Sequence, residues 1–293
     1  MAEWSTRVQN ALAALPRPPS SAGALEVAAL TQSEWSLLVY CYLNEPPFTL
    51  DELRVWLPYT SEALFGRWFK ELLATLNVQR VASGDFIVTD KGAALVNEWY
   101  RNGTALLAHQ HPLAQTTLMK HADGLELVVR AALERPPVRI VRLSSSRRMA
   151  CEPQASAMVR IDQALTDLHY FRDDCHTAAW NACGLSGPEI ELLTVLWRQG
   201  AKDVGTLVAQ LGDTRGHEPE QVARIAQRLA SRGWLALDDD NAELTVAGKG
   251  MRDEIEAATN RNYMPPWTVL PPRQLQELGR LMCRFTQSLP GSR

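Results

Sequence analysis

Apolar residues recur at helical spacing along most of the chain, and two regions interrupt that pattern in the same way. In the first, Leu37-Leu38 through Leu53 predict two helices around Asn44-Glu45-Pro46-Pro47. The prolines stop one helix, and Thr49 with Glu52 can cap the next. In the second, Leu192-Leu193 through Val208 predict the same pair, with Gly200 ending one helix and Asp203 capping its successor. A third helix follows each pair, Ser61 to Leu76 and Pro219 to Arg232. The period then shortens to that of a β-hairpin. Val78 to Val81 and Phe86 to Val88 flank Ser83-Gly84-Asp85, while Trp234 to Leu237 and Glu243 to Val246 flank Asp238-Asp239-Asp240-Asn241. Each copy runs into a Lys-Gly pair, Lys91-Gly92 or Lys249-Gly250, about 158 residues apart, that opens a further helix, Ala93 to Tyr100 or Met251 to Thr259. Three helices, a hairpin and a closing helix is the order of a winged helix-turn-helix.

Between the copies, Thr104 to Tyr170 is predicted mainly helical, with one apolar face on Leu113 to Leu133 and on Gln154 to Trp180. Arg135-Pro136-Pro137 and Ser144-Ser145-Ser146 interrupt it, and Val138 to Leu143 is expected as one short strand. Pro265-Pro266-Trp267 and Pro271-Pro272 separate the second copy from an amphipathic helix, Gln274 to Leu289. The expected fold is mainly α with small β wings, two tandem winged-helix modules joined by a helical middle section. The expected domains are residues 1–104, 105–170 and 171–293.

A chain of 293 residues that is 46% hydrophobic can bury a core in each of two domains. Met1 to Leu15 lacks the apolar run of a signal peptide and no later stretch is apolar enough to cross a membrane, so a soluble cytoplasmic protein is expected. The five cysteines are scattered without a CxxC pair, which argues against a disulfide framework or a zinc knuckle. A formal net charge of -3 withholds a global basic field, so contact with DNA has to come from a local patch.

The third helix of the second copy offers such a patch. Gln221, Arg224, Gln227 and Arg228 share one face and Arg232 follows, and Arg and Gln are the residue types that pair with guanine and adenine in a major groove. An ordinary solvated face is the alternative. In the first copy the equivalent helix offers Arg67 and Lys70 among Phe65, Trp68 and Phe69, which suits protein contact or core packing as well as DNA. Arg139, Arg142, Arg147 and Arg148 lie in an arginine-rich stretch from Arg135 that holds no acid. It either follows a DNA backbone or pairs with Asp162, Asp167, Asp173 and Asp174.

His169, Asp173 and His176 share a helix face, but the two imidazoles stand two turns apart, about 10 Å, so no metal site is assigned. His176, Trp180, Trp197 and Trp267 either wall a ligand pocket or form an aromatic core. Cys175 and His176 are adjacent and point about 100° apart on a helix, so no nucleophile, catalytic residue or cofactor is expected.

The second half resembles the winged-helix regulators of the MarR superfamily: a leading helix, a three-helix core, a wing with its Lys-Gly exit, and a terminal helix headed by Leu270-Pro271-Pro272. That resemblance implies a dimer built by the outer helices, a third core helix in the major groove and a wing on the backbone or minor groove. Asp174-Cys175-His176-Thr177-Ala178-Ala179-Trp180, Leu196-Trp197-Arg198 and Tyr263-Met264-Pro265-Pro266-Trp267 further resemble a group of bacterial helix-turn-helix proteins, over about Asp167 to Leu289. The expected function is a DNA-binding transcriptional regulator that is homodimeric, binds double-stranded DNA and responds to a small-molecule effector. The rival is a docking scaffold whose winged helices no longer bind DNA, which the acidic charge balance, Asp238 to Asp240 and the aromatic third helix favour. An enzyme acting on DNA bases would need a catalytic carboxylate or amide that the spacing does not supply, and none is expected.

Overall fold

The computed structural model describes residues 2–15, 30–200, 202–238 and 241–289. In chain order, α1 (Ala2–Ala14) precedes the first repeat: α2 (Gln32–Leu43), α3 (Leu50–Arg54), α4 (Glu62–Ala74), β1 (Val78–Arg80), β2 (Phe86–Val88) and α5 (Asp90–Ala108). The middle section is α6 (Gln115–Glu134), α7 (Val141–Ser146) and a short 3-10 turn, then α8 (Ala157–Ala182). The second repeat comprises α9 (Gly187–Gln199), β3 (Lys202–Asp203), α10 (Val204–Arg215), α11 (Pro219–Ser231), β4 (Leu235–Asp238), β5 (Asn241–Leu244) and α12 (Val246–Tyr263). A 3-10 turn at Pro265–Val269 leads to α13 (Pro272–Ser288). The fold is therefore mainly α, 72% helical over the described residues, with small antiparallel wings.

The capping chemistry expected at the helix starts is present. Glu52 accepts from the Thr49 backbone N–H at 2.7 Å while Thr49 Oγ1 accepts from Glu52 N–H at 3.2 Å. Asp203 accepts from Thr206 N–H at 2.7 Å at the start of α10, and α9 ends at Gly200 with a positive φ of 77°.

Each wing also has a third partner that comes from between the first two helices of its repeat. Phe48 and Phe86 exchange N–H···O bonds of 2.9 Å, and Phe86 pairs with Arg80 across β1 and β2. In the second repeat β3 pairs with β5, which pairs with β4, Lys202 opposite Ala242 and Leu235 opposite Leu244. These contributions are too short for a period-2 pattern to register.

After each wing the chain is held by the same latch. Thr89 Oγ1 donates to the Leu76 carbonyl and Thr245 Oγ1 to that of Gly233, both at 2.7 Å. The same hydroxyls accept from Gly92 N–H at 3.2 Å and Gly248 N–H at 3.0 Å. A Cβ on Gly92 would meet the Asn77 oxygen at 2.4 Å and one on Gly248 the Trp234 oxygen at 1.9 Å, so both glycines are required by close backbone approach. The structural equivalence is thus Thr89 with Thr245 and Gly92 with Gly248, and the two Lys-Gly pairs are not equivalent positions.

Compactness follows a different partition from the expected domains at 1–104, 105–170 and 171–293. One unit gathers Met1–Leu53, Glu71–Cys175 and Asn260–Arg293, and the other gathers Arg54–Lys70 with His176–Thr259. In the first unit α8 buries Ile161, Leu165, Leu168, Phe171 and Cys175 at helical spacing. They share a core with Leu118, Leu125 and Val128 of α6, with Val8 and Ala11 of α1, and with Met282 and Phe285 of α13. In the second unit Leu192, Leu193 and Leu196 of α9 pack with Leu207, Leu211, Val222, Ile225 and Leu229.

Val138 to Leu143 does not form the expected strand. α7 starts at Val141 because the Asp174 carboxylate accepts from the N–H groups of Arg142 at 3.1 Å and Leu143 at 3.0 Å, which satisfies first-turn donors of a helix.

Candidate nucleic-acid interface

α11 is the third core helix of the second repeat, and it is strongly two-faced. Val222, Ile225, Ala226 and Leu229 face the core, while Arg224, Gln227 and Arg228 are exposed one turn apart on the other side. Gln221 is half-buried and partly committed, since its side-chain oxygen accepts from the Glu218 backbone N–H at 3.0 Å. Arg228 reaches back to α9, Nε to Glu189 Oε1 at 3.0 Å. Burial raises the Glu189 carboxyl, but hydrogen bonds from Ser186 and the Arg228 charge outweigh it and hold the group below the usual range. Arg232 donates to the Gly184 carbonyl at 3.0 Å and lies over the Trp234 ring. Among the described residues, Arg224 is the arginine of this face with no ion pair or hydrogen bond, which leaves its full charge to an incoming partner.

The turn that leads into α11 is occupied by the chain itself. Tyr59 accepts at its carbonyl from His217 Nε2 at 2.8 Å, Ser61 N–H donates to the Arg215 carbonyl at 2.8 Å, and Arg215 lies over the Tyr59 ring. Gly216 sits at φ 68°, and a Cβ there would meet Leu64 at 2.5 Å. Leu64, Phe65 and Phe69 of α4 are buried, whereas Arg67 and Lys70 are exposed. Of the alternatives open for the aromatic third helix, Phe65 and Phe69 take the packed one, and the segment before them docks on protein. Sequence reasoning missed this contact. Neither Gly187, which lies against the Pro58 carbonyl, nor Gly216 carries a signal in its spacing that names the chain approaching it.

The arginine-rich stretch is divided. Arg142 is only 4% exposed and faces Asp174 across 3.5 Å. Arg147 meets the buried Asp167 at 2.6 Å. Burial pushes the Asp167 carboxyl up, against the pull of hydrogen bonds from Ser146, Arg147 and Gln163. Arg142 is therefore corrected from a DNA contact to an internal ion pair, and Arg147 is drawn to the same helix. Both acids were among those the sequence offered. Arg139 and Arg148 remain exposed.

Of the four residues expected to wall a ligand pocket, Trp267 belongs to the first unit and His176, Trp180 and Trp197 to the second. Trp267 is fully buried in the first unit, with its ring centroid 4.6 Å from that of Trp4 and 5.8 Å from that of Tyr263. Trp180 is buried in the core of the second unit. Trp197 is at its surface, with Nε1 donating to Asp253 at 2.8 Å and Arg252 over its ring. His176 Nδ1 stands 3.0 Å from Thr259 Oγ1. His169 and Asp173 approach to 3.7 Å, and among the described residues no three His, Cys, Asp or Glu side chains are placed to hold a metal ion.

In the expected acidic wing tip, Asp238 is exposed and Asp239 and Asp240 lie outside the described residues. The apolar face of α13, the helix that the MarR resemblance would place in a dimer, is buried within its own unit. Leu278, Met282 and Phe285 are covered, and Gly279 lies against Trp4 and Arg7 of α1. No helix of the described residues is long and apolar enough to cross a membrane.

A two-faced third helix after a helix-turn-helix, followed by a small three-stranded sheet, defines the class as a mainly α helix-turn-helix protein with small β wings. The chain belongs to a helix-turn-helix family whose model matches residues 93–292. The match begins inside α5, so the first repeat's three core helices and wing lie before it. No curated protein and no solved structure matches the chain.

Proposed function

We propose that the protein is a DNA-binding transcriptional regulator that reads double-stranded DNA with the second repeat. The observation that carries this is the exposed face of α11 in a helix-turn-helix family member, with Arg224 unengaged and Gln227 and Arg228 beside it. Arg224 and Gln227 supply direct readout of base edges. Arg232, at the end of the same helix, adds a phosphate contact. Arg228 contributes as a charge held in place by Glu189. The likeness to MarR-type regulators supports the same use of the third helix. No catalytic residue or cofactor enters this reading.

Docking is the second reading, and it applies to the first repeat. Residues 54–70 already make protein contacts at Gly187, Gly216 and His217, so this segment serves as an intramolecular docking element within the second unit while the second repeat contacts DNA. Fluorescence anisotropy of a labelled mixed-sequence duplex over a salt series tests the proposal. DNA binding appears as an affinity that falls steeply with salt, and a flat absence of binding at low salt leaves only the docking reading.

A further inference from the structure

A groove of about 770 Å³ lies in the first unit between α1 and α13. It follows one flank of α13 from Pro272 to Arg284, which at 1.5 Å per residue makes it about 18 Å long. The two halves of that flank differ in chemistry. Pro272 and Leu275 line the first with apolar surface, and Arg280 and Arg284, one turn apart, line the second. From the other side α1 contributes Trp4 and Arg7, which are held against the middle of α13. Arg7 lies over the Trp4 ring, and a Cβ on Gly279 would meet Arg7 Nη1 at 2.1 Å and Trp4 at 3.2 Å. Glycine is unfavourable inside a helix, and here it admits the α1 side chains as the opposite wall.

The charge of the groove has one sign. Among the described residues no Asp or Glu lines it, and Glu277, the acid of α13, lies on the other flank of the helix with Lys120 and Asp123 of α6. Arg280 and Arg284 are exposed and make no ion pair or hydrogen bond among the described residues, so the charge on offer rests on these two. Arg7 is engaged already and is not counted in it. A guanidinium group pairs with carboxylate or phosphate oxygens through parallel N–H donors, and both are positioned where an acidic group entering the groove would meet them.

A small inorganic anion would leave the apolar half of the groove bare, and a neutral apolar molecule would leave Arg280 and Arg284 unmatched. A long, open groove with an apolar half and a cationic half instead complements a chain-like molecule with one acidic end. We propose that this groove binds a free amphiphilic anion, with its acidic head on Arg280 and Arg284 and its apolar tail laid along Leu275 and Pro272. The site does not depend on the DNA reading, because it lies in the first unit, α11 lies in the second, and occupancy is measured directly.

Butyrate, decanoate and decyltrimethylammonium, each kept below its micelle-forming concentration, test it by calorimetry and saturation-transfer NMR on the full chain. Decanoate is expected to bind at least about tenfold more tightly than butyrate, whose tail is too short to cover Leu275 and Pro272, and at least about tenfold more tightly than the cation with the same tail. Arg280→Glu/Arg284→Glu is expected to weaken decanoate binding by at least about tenfold, whereas Arg273→Glu, on the same helix but outside the groove, is expected to leave it unchanged. All three positions are exposed, circular dichroism confirms that each variant is folded, and Arg284→Glu alone decides if the double variant is not. Co-sedimentation with phosphatidylglycerol vesicles separates a free amphiphile from a membrane surface. Absence of decanoate binding at millimolar concentration, butyrate or the cation binding as tightly, decanoate affinity unchanged in the folded variant, an equal loss in Arg273→Glu, or vesicle capture without binding of monomeric decanoate would each overturn the proposal.

Discussion

The carbonyl oxygen of Pro58 lies so close to Gly187 that a Cβ built on the glycine would stand 1.9 Å from it. This contact, with Gly216 against Leu64 and His217 on the Tyr59 carbonyl, fixes residues 54–70 to the second repeat. Main chain cannot swing aside as a side chain can. Gly187→Ala is therefore expected to cost about 2 kcal/mol or more, read as a lower urea midpoint together with proteolytic cleavage near Pro58. Gly250→Ala, where nothing lies within 4 Å of the new methyl in α12, is the control and should be neutral or stabilising by up to about 1 kcal/mol.

A second prediction comes from the wing latches. Leu76 is held at φ 56° and Gly233 at φ 72° at equivalent points after the third helices. Leucine in the left-handed region is strained by about 1 to 2 kcal/mol, and the side chain is 67% exposed, so it gains little from packing. Leu76→Gly should raise stability, by up to about 1 kcal/mol after the glycine's extra unfolded-state entropy is subtracted. A thermal scan showing a lower Tm would contradict it.

His121 is completely buried, edge-on to Phe285 with ring centroids 5.2 Å apart, and both ring nitrogens lack a partner among the described residues. Burial pulls its pKa down from 6.5 to about 4. The unfolded chain thus takes up the proton first as pH falls. Stability is full above pH 6.5, declines between 6.5 and about 4, and the loss approaches about 3 kcal/mol. Unfolding free energies of His121→Phe subtracted from those of the native chain isolate this slope from the carboxylates. A difference that does not change with pH would place the imidazole in a solvated setting.

Arg142 and Asp174 form a buried pair, so Arg142→Ala leaves a carboxylate without its counter-charge. A loss of about 3 kcal/mol is expected. Arg139→Ala and Arg148→Ala, both exposed, should stay within about 0.5 kcal/mol of the native chain. Equal effects at all three positions would deny the division of the basic stretch.

What the sequence made legible, and what it hid, follows from range. Helix periodicity, the Thr49 and Asp203 caps, the Gly200 stop and both hairpins are local signals, written within a few residues, and all appear in the structure. The wing's third partners were too short to show a period. The choice among Asp162, Asp167, Asp173 and Asp174 as partners for the arginines depended on how α7 lands on α8, which charge alone does not determine. The tryptophans invited a pocket in the second half, yet Trp180 and Trp267 belong to separate cores. The face of α11 was legible because amphipathic spacing assigns sides, whereas the engagement of Arg228 by Glu189 was a tertiary matter.

The most direct test of the DNA-reading face compares Arg224→Glu, Arg67→Glu and the native chain for duplex binding between about 50 and 200 mM salt, the span over which phosphate contacts lose affinity most visibly. The account predicts that Arg224→Glu abolishes salt-dependent binding while remaining folded, and that Arg67→Glu binds nearly as the native chain does. Binding by Arg224→Glu that matches the native chain in affinity and salt slope would remove α11 from the DNA and contradict the central claim.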